Sequence, residues 1–557
     1  MSRRKEPTLF RARPRLASLS LSISLAGALA ALMSCGGDEP PQGSGGSGGG
    51  MGGSGGGFTC FPGDTKPCYT GPVVTENVGA CRSGERTCNP DGSGYGVCEG
   101  QVTPTVDDCA TPADEDCDGV PAPACPGTVL FGLRFGGAGD DEGRGVAFDE
   151  GGNLIATGSF EGSIDFGGGE VKSAGGKDVF VVKLGPAGEA VFSKAFGDKD
   201  ADQVGTSVAV GKDGGAVLTG HFAGSIDFGG GPVVSAGGRD VFVLKLTPEG
   251  NVAWAKTFGG AGALQEGLAV DVDDAGDVLV AGAFDGTLDV GGVPLVSLGG
   301  QDGFVLKLEA ATGGVVWSKA FGGPGKQVAR ALAVDAAGTA LVGGGFDGSI
   351  DLGNGPMLSA GGEDAFFVKL GSGDGTPAMG SQFGDASNQA ITGIALPGGG
   401  GYVLAGRFEG AIGFETTMLQ GAGAEDIFVA SYGAPGELIF AKAFGDKGSQ
   451  IPEGVAVDAA GAIVVAGRFT GSLDFGHKPP LPGTESYDIF IGKIDASGAY
   501  VYGYAYGGNF DQVALGVAVD SMGNAAVTGS YFGSLQFGAD PLVSGGQRDL
   551  FLAKLAP

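Results

Sequence analysis

The stretch GRDVFVLKL, Gly238–Leu246, returns along the chain as GKDVFVVKL, GEDAFFVKL, SYDIFIGKI and QRDLFLAKL. Its aspartate recurs at Asp178, Asp240, Asp302, Asp364, Asp426, Asp488 and Asp549, and a phenylalanine follows two residues later each time, from Phe180 to Phe551. The spacing is 62 residues, with a single 61 at the end. In DVFVLKL the apolar residues fall on both faces of a pleat, so the strand must be covered on both sides, as it is where sheets stack face to face. A repeat of this length, each copy unable to bury its apolar faces alone, implies stacked units sharing one core.

A second marker, Phe-Gly-Gly or Phe-Gly-Asp, stands at Phe135, Phe196, Phe258, Phe321, Phe383 and Phe444, with Tyr506 in the last copy. Between the two markers each unit reads as four short strands, for example 454–458, 462–469, 487–494 and 500–507, bounded by Gly, Asp, Pro or Ser. Radial repetition of four-stranded sheets is the β-propeller, here with seven blades. The last unit stops at Pro557 after its third strand, while TVLFGLRFGG, residues 128–137, matches the fourth-strand phrases AVFSKAFGD and VVWSKAFGG. The N-terminal strand is therefore expected to complete the last blade and remove the open sheet edges. The phenylalanines are expected as wedges between blades, and each aspartate as a cap of the turn before the third strand, the other reading being seven metal sites. Gly158, Gly220 and their counterparts in the second strand read as close-packing positions.

The unit VAVDAAGAIVVAGRFTGSLDFG, followed by DIFIGKIDASG, resembles the bacterial SBBP β-propeller repeat family over residues 128–557. That resemblance implies a propeller and says little about function.

Composition agrees with an all-β chain: 117 of 557 residues are glycine and only 17% are charged. The front end is different. Six basic residues precede an apolar run near Ala17–Met33, the pattern of an export signal. Leu32-Met33-Ser34-Cys35 resembles the lipobox of bacterial lipoproteins, which implies lipidation of Cys35; an uncleaved anchor and an ordinary secreted protein are the alternatives. Domain boundaries follow: signal peptide 1–34, lipidated cysteine and Gly/Ser-rich tether 35–57, cysteine-rich module 58–126, propeller 127–557. Loss of residues 1–34 takes the net charge from −30 to −35. Such acidity excludes nucleic acid and anionic membrane surfaces as partners, leaving membrane attachment through the lipid alone.

Cys60, Cys68, Cys81, Cys88, Cys98, Cys109, Cys117 and Cys125 form an even, dense set followed by no further cysteine. In an exported segment this reads as four disulfides of open connectivity. Zinc is disfavoured, because there is no C-x-x-C pair and His221 and His477, the only histidines, lie far downstream. Asp114, Asp116, Asp118 and Gly119 match the start of a calcium loop, although Cys125 stands where its last ligand should be; a solvated acidic turn is the other reading. The segment resembles a cysteine-rich module of bacterial surface lipoproteins whose tail is a metal-binding motif, which implies Ca²⁺.

In a propeller the links between second and third strands and between consecutive blades share one face. Here the former are about 17 residues long, and the latter end on Gln203, Gln265, Gln327, Gln389, Gln450 and Gln512. This is the candidate ligand face, unless the glutamines only bridge blades by hydrogen bonds. The residue after the strand glycine varies between copies (Ser159, His221, Ala283, Gly345, Arg407, Arg468, Ser530), and Arg407 and Arg468 fall on adjacent blades. Their guanidinium groups suit a carboxylate or sulfated glycan, or else pair with nearby glutamates such as Glu409. No nucleophile, metal-protease or phosphate-loop motif is present. The expectation is a non-catalytic envelope lipoprotein, on a Gram-negative outer membrane or cell surface, binding a protein or glycan. The alternatives are a glycan-acting enzyme using a carboxylate pair and a purely structural surface protein.

Overall fold

The computed structural model describes residues 59–557 apart from 106, 112, 120–123, 200, 435 and 539. The segments read as signal peptide and tether, with the expected lipidation site Cys35, therefore lie outside the described residues.

The described chain divides into two compact units. The smaller comprises residues 59–68 and 84–100 and holds a hairpin of Thr65–Cys68 with Gly84–Thr87. Disulfides Cys60–Cys88 and Cys68–Cys98 cross-link it. A segment with so little core depends on such links, each worth about 2–4 kcal/mol.

The larger unit, residues 69–83 and 101–557, holds disulfides Cys81–Cys117 and Cys109–Cys125 and seven four-stranded antiparallel sheets. In blade 2 the strands are Gln203–Val210, Ala216–Phe222, Asp240–Leu246 and Val252–Phe258, counted from the channel outward. Blade 7 is assembled from both ends of the chain: Gln512–Val519, Ala525–Tyr531 and Asp549–Leu555 are joined by Val129–Phe135, with Phe135 opposite Leu550 and Val129 opposite Leu555. The ring closes as the termini imply.

The repeated residues earn their places by packing. Phe242 and its six counterparts are fully buried in the clusters between blades. Asp240 is 4% exposed, and one carboxylate oxygen accepts the Ala236 N–H at 2.7 Å; the same turn recurs at Asp178, Asp302, Asp364, Asp426, Asp488 and Asp549. This also explains the second marker. A Cβ on Gly259 would lie 1.9 Å from the Asp240 carboxylate, so the glycine after each marker phenylalanine leaves the room the aspartate occupies. Gly220 is equally constrained, since a Cβ there would sit 2.0 Å from the Val204 carbonyl.

The lysine of the opening phrase has a structural task that the sequence reading missed. Lys183, Lys245, Lys307, Lys493 and Lys554 are buried and pair with Asp149, Asp213, Asp273, Asp458 and Asp520 in the turn between first and second strands of their own blade. Lys183, Lys245 and Lys307 also donate to carbonyls of the next blade, at Pro248, Ala310 and Ser372. Blade 5 has Ser431 for the lysine and Pro397 for the aspartate, so neither charge is left alone.

Two features differ from the sequence reading. The first strand of blade 6 is Gln450–Val457, starting four residues before the expected 454, because a β-bulge at Glu453 interrupts the alternation without ending the strand. The long links also fold into short hairpins, such as Ser225–Asp227 with Pro232–Val234.

Candidate ligand-binding face

The two ends of the ring differ in kind. One carries tight turns between first and second and between third and fourth strands. The other carries the hairpin links and the connections between blades. The six glutamines belong to this second end, but they do not face outward. Each is fully buried, and in all but Gln265 the amide reaches backbone carbonyls of its own blade: Gln203 to Ala223 and Ser225, Gln327 to Asp347 and Ser349, Gln389 to Glu409, Gln450 to Ser472. Gln512 does the same towards Phe532, while the Gln265 amide donates to the Asp240 carboxylate and the Arg239 carbonyl of the preceding blade and accepts from the Gly262 N–H. Placing Gln203, Gln265, Gln327, Gln389, Gln450 and Gln512 on a ligand face is therefore corrected. The first residue of each inner strand lies beneath the hairpin link, where a long amide satisfies carbonyls that water cannot reach.

The seven inner strands all bulge at one register. A bulge leaves one residue unpaired and re-aims its side chain. The bulged residues are Arg144, Thr206, Leu268 and Arg330 in blades 1 to 4, and Thr392, Glu453 and Leu515 in blades 5 to 7. They line a cavity of about 510 Å³ at the channel mouth, into which Arg407 and Arg468 also project. A second cavity of about 230 Å³ continues down the channel past the same ring. The residue after the bulge is small throughout (Gly145, Ser207, Ala269, Ala331, Gly393, Gly454, Gly516), since inner strands of adjacent blades almost touch: a Cβ on Gly145 would lie 2.9 Å from the Val208 nitrogen.

Arg407 and Arg468 thus sit in one place, joined by Arg144 and Arg330. Their pairing differs in detail from a contact with Glu409. Arg407 is held by Glu363 at 2.7 Å and by Glu425, whereas Glu409 accepts from the Asn388 amide. Arg468 meets Glu453 at 3.2 Å and lies 5.0 Å over the Tyr487 ring. Arg144 is bound twice by Glu142, and Arg330 has only a 3.4 Å contact with Glu363. The Nε atoms of Arg330 and Arg468 are shut off from solvent and have no hydrogen-bond partner among the described residues. Burial raises the Glu453 pKa, against the opposing pull of Arg468, Arg330, Arg407 and Arg144. His221, next in the variable register, is 8% exposed, and burial lowers its pKa to about 4, so it is neutral at pH 7. The carboxylates lining the mouth, Glu425 and Glu453, are each engaged by a guanidinium.

Of the candidate calcium ligands, Asp114 and Asp116 lie together, joined by Asp107 rather than by the Asp118 carboxylate. One oxygen from each of the three falls within 4.8 Å of the others. Asp114 is 8% exposed, and its carboxylate accepts the N–H groups of Asp118 and Gly119. All eight candidate cysteines are paired.

No family model matches the chain, and no curated protein matches it. Solved structures that resemble it include the WD40 β-propeller domain of Doa1, at 10% identity and a TM-score of 0.38, over 76% of this chain and 96% of that one. The WD40 domain of Neurospora crassa Pan2 is similar at 11% identity and a TM-score of 0.36, over 75% and 90%. The quinohemoprotein alcohol dehydrogenase ADHIIG of Pseudomonas putida HK5 follows at 10% identity and a TM-score of 0.35, over 76% of each chain. At such scores these likenesses decide nothing. The class of protein, a disulfide-bearing seven-bladed β-propeller, is defined by the strand pairing itself. Among the described residues no helix is long and apolar enough to cross a membrane.

Proposed function

We propose that this chain is a lipid-anchored cell-envelope protein that presents its propeller as a non-catalytic binding or scaffold module for a protein or glycan. The observation that carries this reading is the channel mouth, where four arginines from different blades converge on one cavity of a body whose net charge is −30. Guanidinium groups brought together against that background select anionic groups on a ligand while the surrounding surface rejects bulk polyanions. The disulfides fit an oxidising compartment, and the lipobox-like Leu32–Cys35 supplies the anchor.

The test is a binding screen of the whole disulfide-bonded chain against envelope-protein and glycan panels, with and without Ca²⁺, alongside R407Q/R468Q. A saturable partner lost in that variant supports recognition through the mouth. A partner retained by it overturns this use of the face, and a blank screen with intact fold overturns the binding role.

A further inference from the structure

Among the described residues the mouth presents a ligand mainly with guanidinium N–H groups and aliphatic side chains. Thr206 and Thr392 are already committed: their hydroxyls donate to the carbonyls of Gly267 and Pro452, each on the next inner strand and each at 2.6 Å. Arg144 and Arg407 have carboxylate partners at normal pairing distance. Arg330 has the longest carboxylate contact of the four, 3.4 Å to Glu363, and its side chain and that of Arg468, which meets Glu453 at 3.2 Å, stay about a third exposed beside the aliphatic Leu268, Ile451 and Leu515.

The charge count limits the ligand. Glu142, Glu363, Glu425 and Glu453 pair with these four arginines, so the mouth has no excess positive charge for a cluster of sulfates, and a single carboxylate exchanging places in the pairs is the anion it suits. Leu268 stands next to Arg330 in the ring of bulges, so a group held by that guanidinium has an aliphatic wall beside it. Among the described residues no aromatic side chain lines the cavity, which leaves the face of a sugar ring nothing there to stack on. We infer that the channel mouth takes a carboxylate carried on an aliphatic group, the chemistry of a C-terminal or acidic segment of a partner protein, with Arg330 and Arg468 holding the oxygens and Leu268 and Leu515 the aliphatic part. This rests on the proposal that the mouth is the recognition face.

The test uses small probes on the whole disulfide-bonded chain, followed by calorimetry or ligand-observed NMR. N-acetyl-leucyl-leucine is expected to bind saturably, and its C-terminal amide about tenfold more weakly, the loss of one charge-assisted pair. R330Q is expected to abolish the difference between acid and amide, and L268N to weaken both; melting curves confirm that each variant is folded, and R468Q replaces R330Q if it is not. Equal binding of acid and amide overturns the inference. So does saturable binding of a galacturonate trimer that exceeds the peptide and is lost in R330Q, although the recognition face then stands with a glycan ligand. No binding by the peptide acid up to about 10 mM also overturns the inference. If the panel screen is blank too, the recognition reading fails with it.

Discussion

Replacing Lys307 by methionine tests the buried charge pair that recurs around the ring. Its side chain is 7% exposed, and Nζ contacts Asp273 at 2.8 Å, Asp277 at 3.3 Å and the Ser372 carbonyl of the next blade at 3.4 Å. Methionine keeps the stem's volume and removes the charge, leaving the Asp273 carboxylate, 5% exposed, without a cation. Breaking a buried pair from one side costs about 3–5 kcal/mol. The lower end applies here, because Asp273 still accepts the N–H groups of Ala275 and Asp277. Removing both partners, as blade 5 does with Pro397 and Ser431, strands only the quarter-exposed Asp277 carboxylate, so D273S/K307S should cost about 1–2 kcal/mol. The readout is urea unfolding of wild type, K307M, D273S and the double variant, compared by midpoint at constant slope. The reasoning is refuted if K307M loses under about 1 kcal/mol, or if the double variant costs the sum of the singles, since the coupling would then be absent.

Three further outcomes are expected. Burial raises the carboxyls of Asp141, Asp178 and Asp302 to about 6 from 3.8, so the folded chain binds more protons than the unfolded one between those values and stability falls as pH rises through the window; melting should occur at a higher temperature near pH 5 than near pH 7, and the reverse order would contradict it. Deleting residues 127–137 removes the outer strand of blade 7 and exposes the edge of Asp549–Leu555; limited proteolysis should then cut in blade 7 first, and light scattering should show association. Calcium titrated into the chain should bind with a Kd of about 0.1–1 mM, typical of extracellular modules, and D116N, at the exposed member of the Asp107–Asp114–Asp116 group, should weaken it; calorimetry showing no heat in wild type would remove calcium from the account.

The architecture was legible because its causes repeat. A phenylalanine that wedges between blades, an aspartate that caps a turn and a glycine that makes room for it are needed once per blade, so each appears seven times at one spacing. The glutamines obey the same logic, and this is why they misled: a polar residue in strict register on a loop-bearing face looks like a ligand contact, yet identical residues answer identical local needs, here the carbonyls beneath each hairpin link. Repetition is the mark of structure in such a chain.

The site follows the opposite rule, and its residues were hidden by a specific assumption. Reading strands by alternation places every residue on one of two faces and has no place for the extra residue of a bulge. Arg144, Arg330 and Glu453 sit in those bulges, so the pattern passed over them, while Arg407 and Arg468, in regular strand, were found. The usable signal was variation in register: counting back two residues from Val146, Val208, Val270, Leu332, Ile394, Val455 and Val517 gives Arg, Thr, Leu, Arg, Thr, Glu and Leu, a position with no common chemistry in a unit that otherwise copies itself closely. A position that points into the shared channel is released from the packing demands that fix its neighbours. It is therefore free to differ from blade to blade, and the asymmetry that results, with arginines in blades 1 and 4, leucines in blades 3 and 7 and one glutamate in blade 6, gives a symmetric ring a mouth able to orient a ligand.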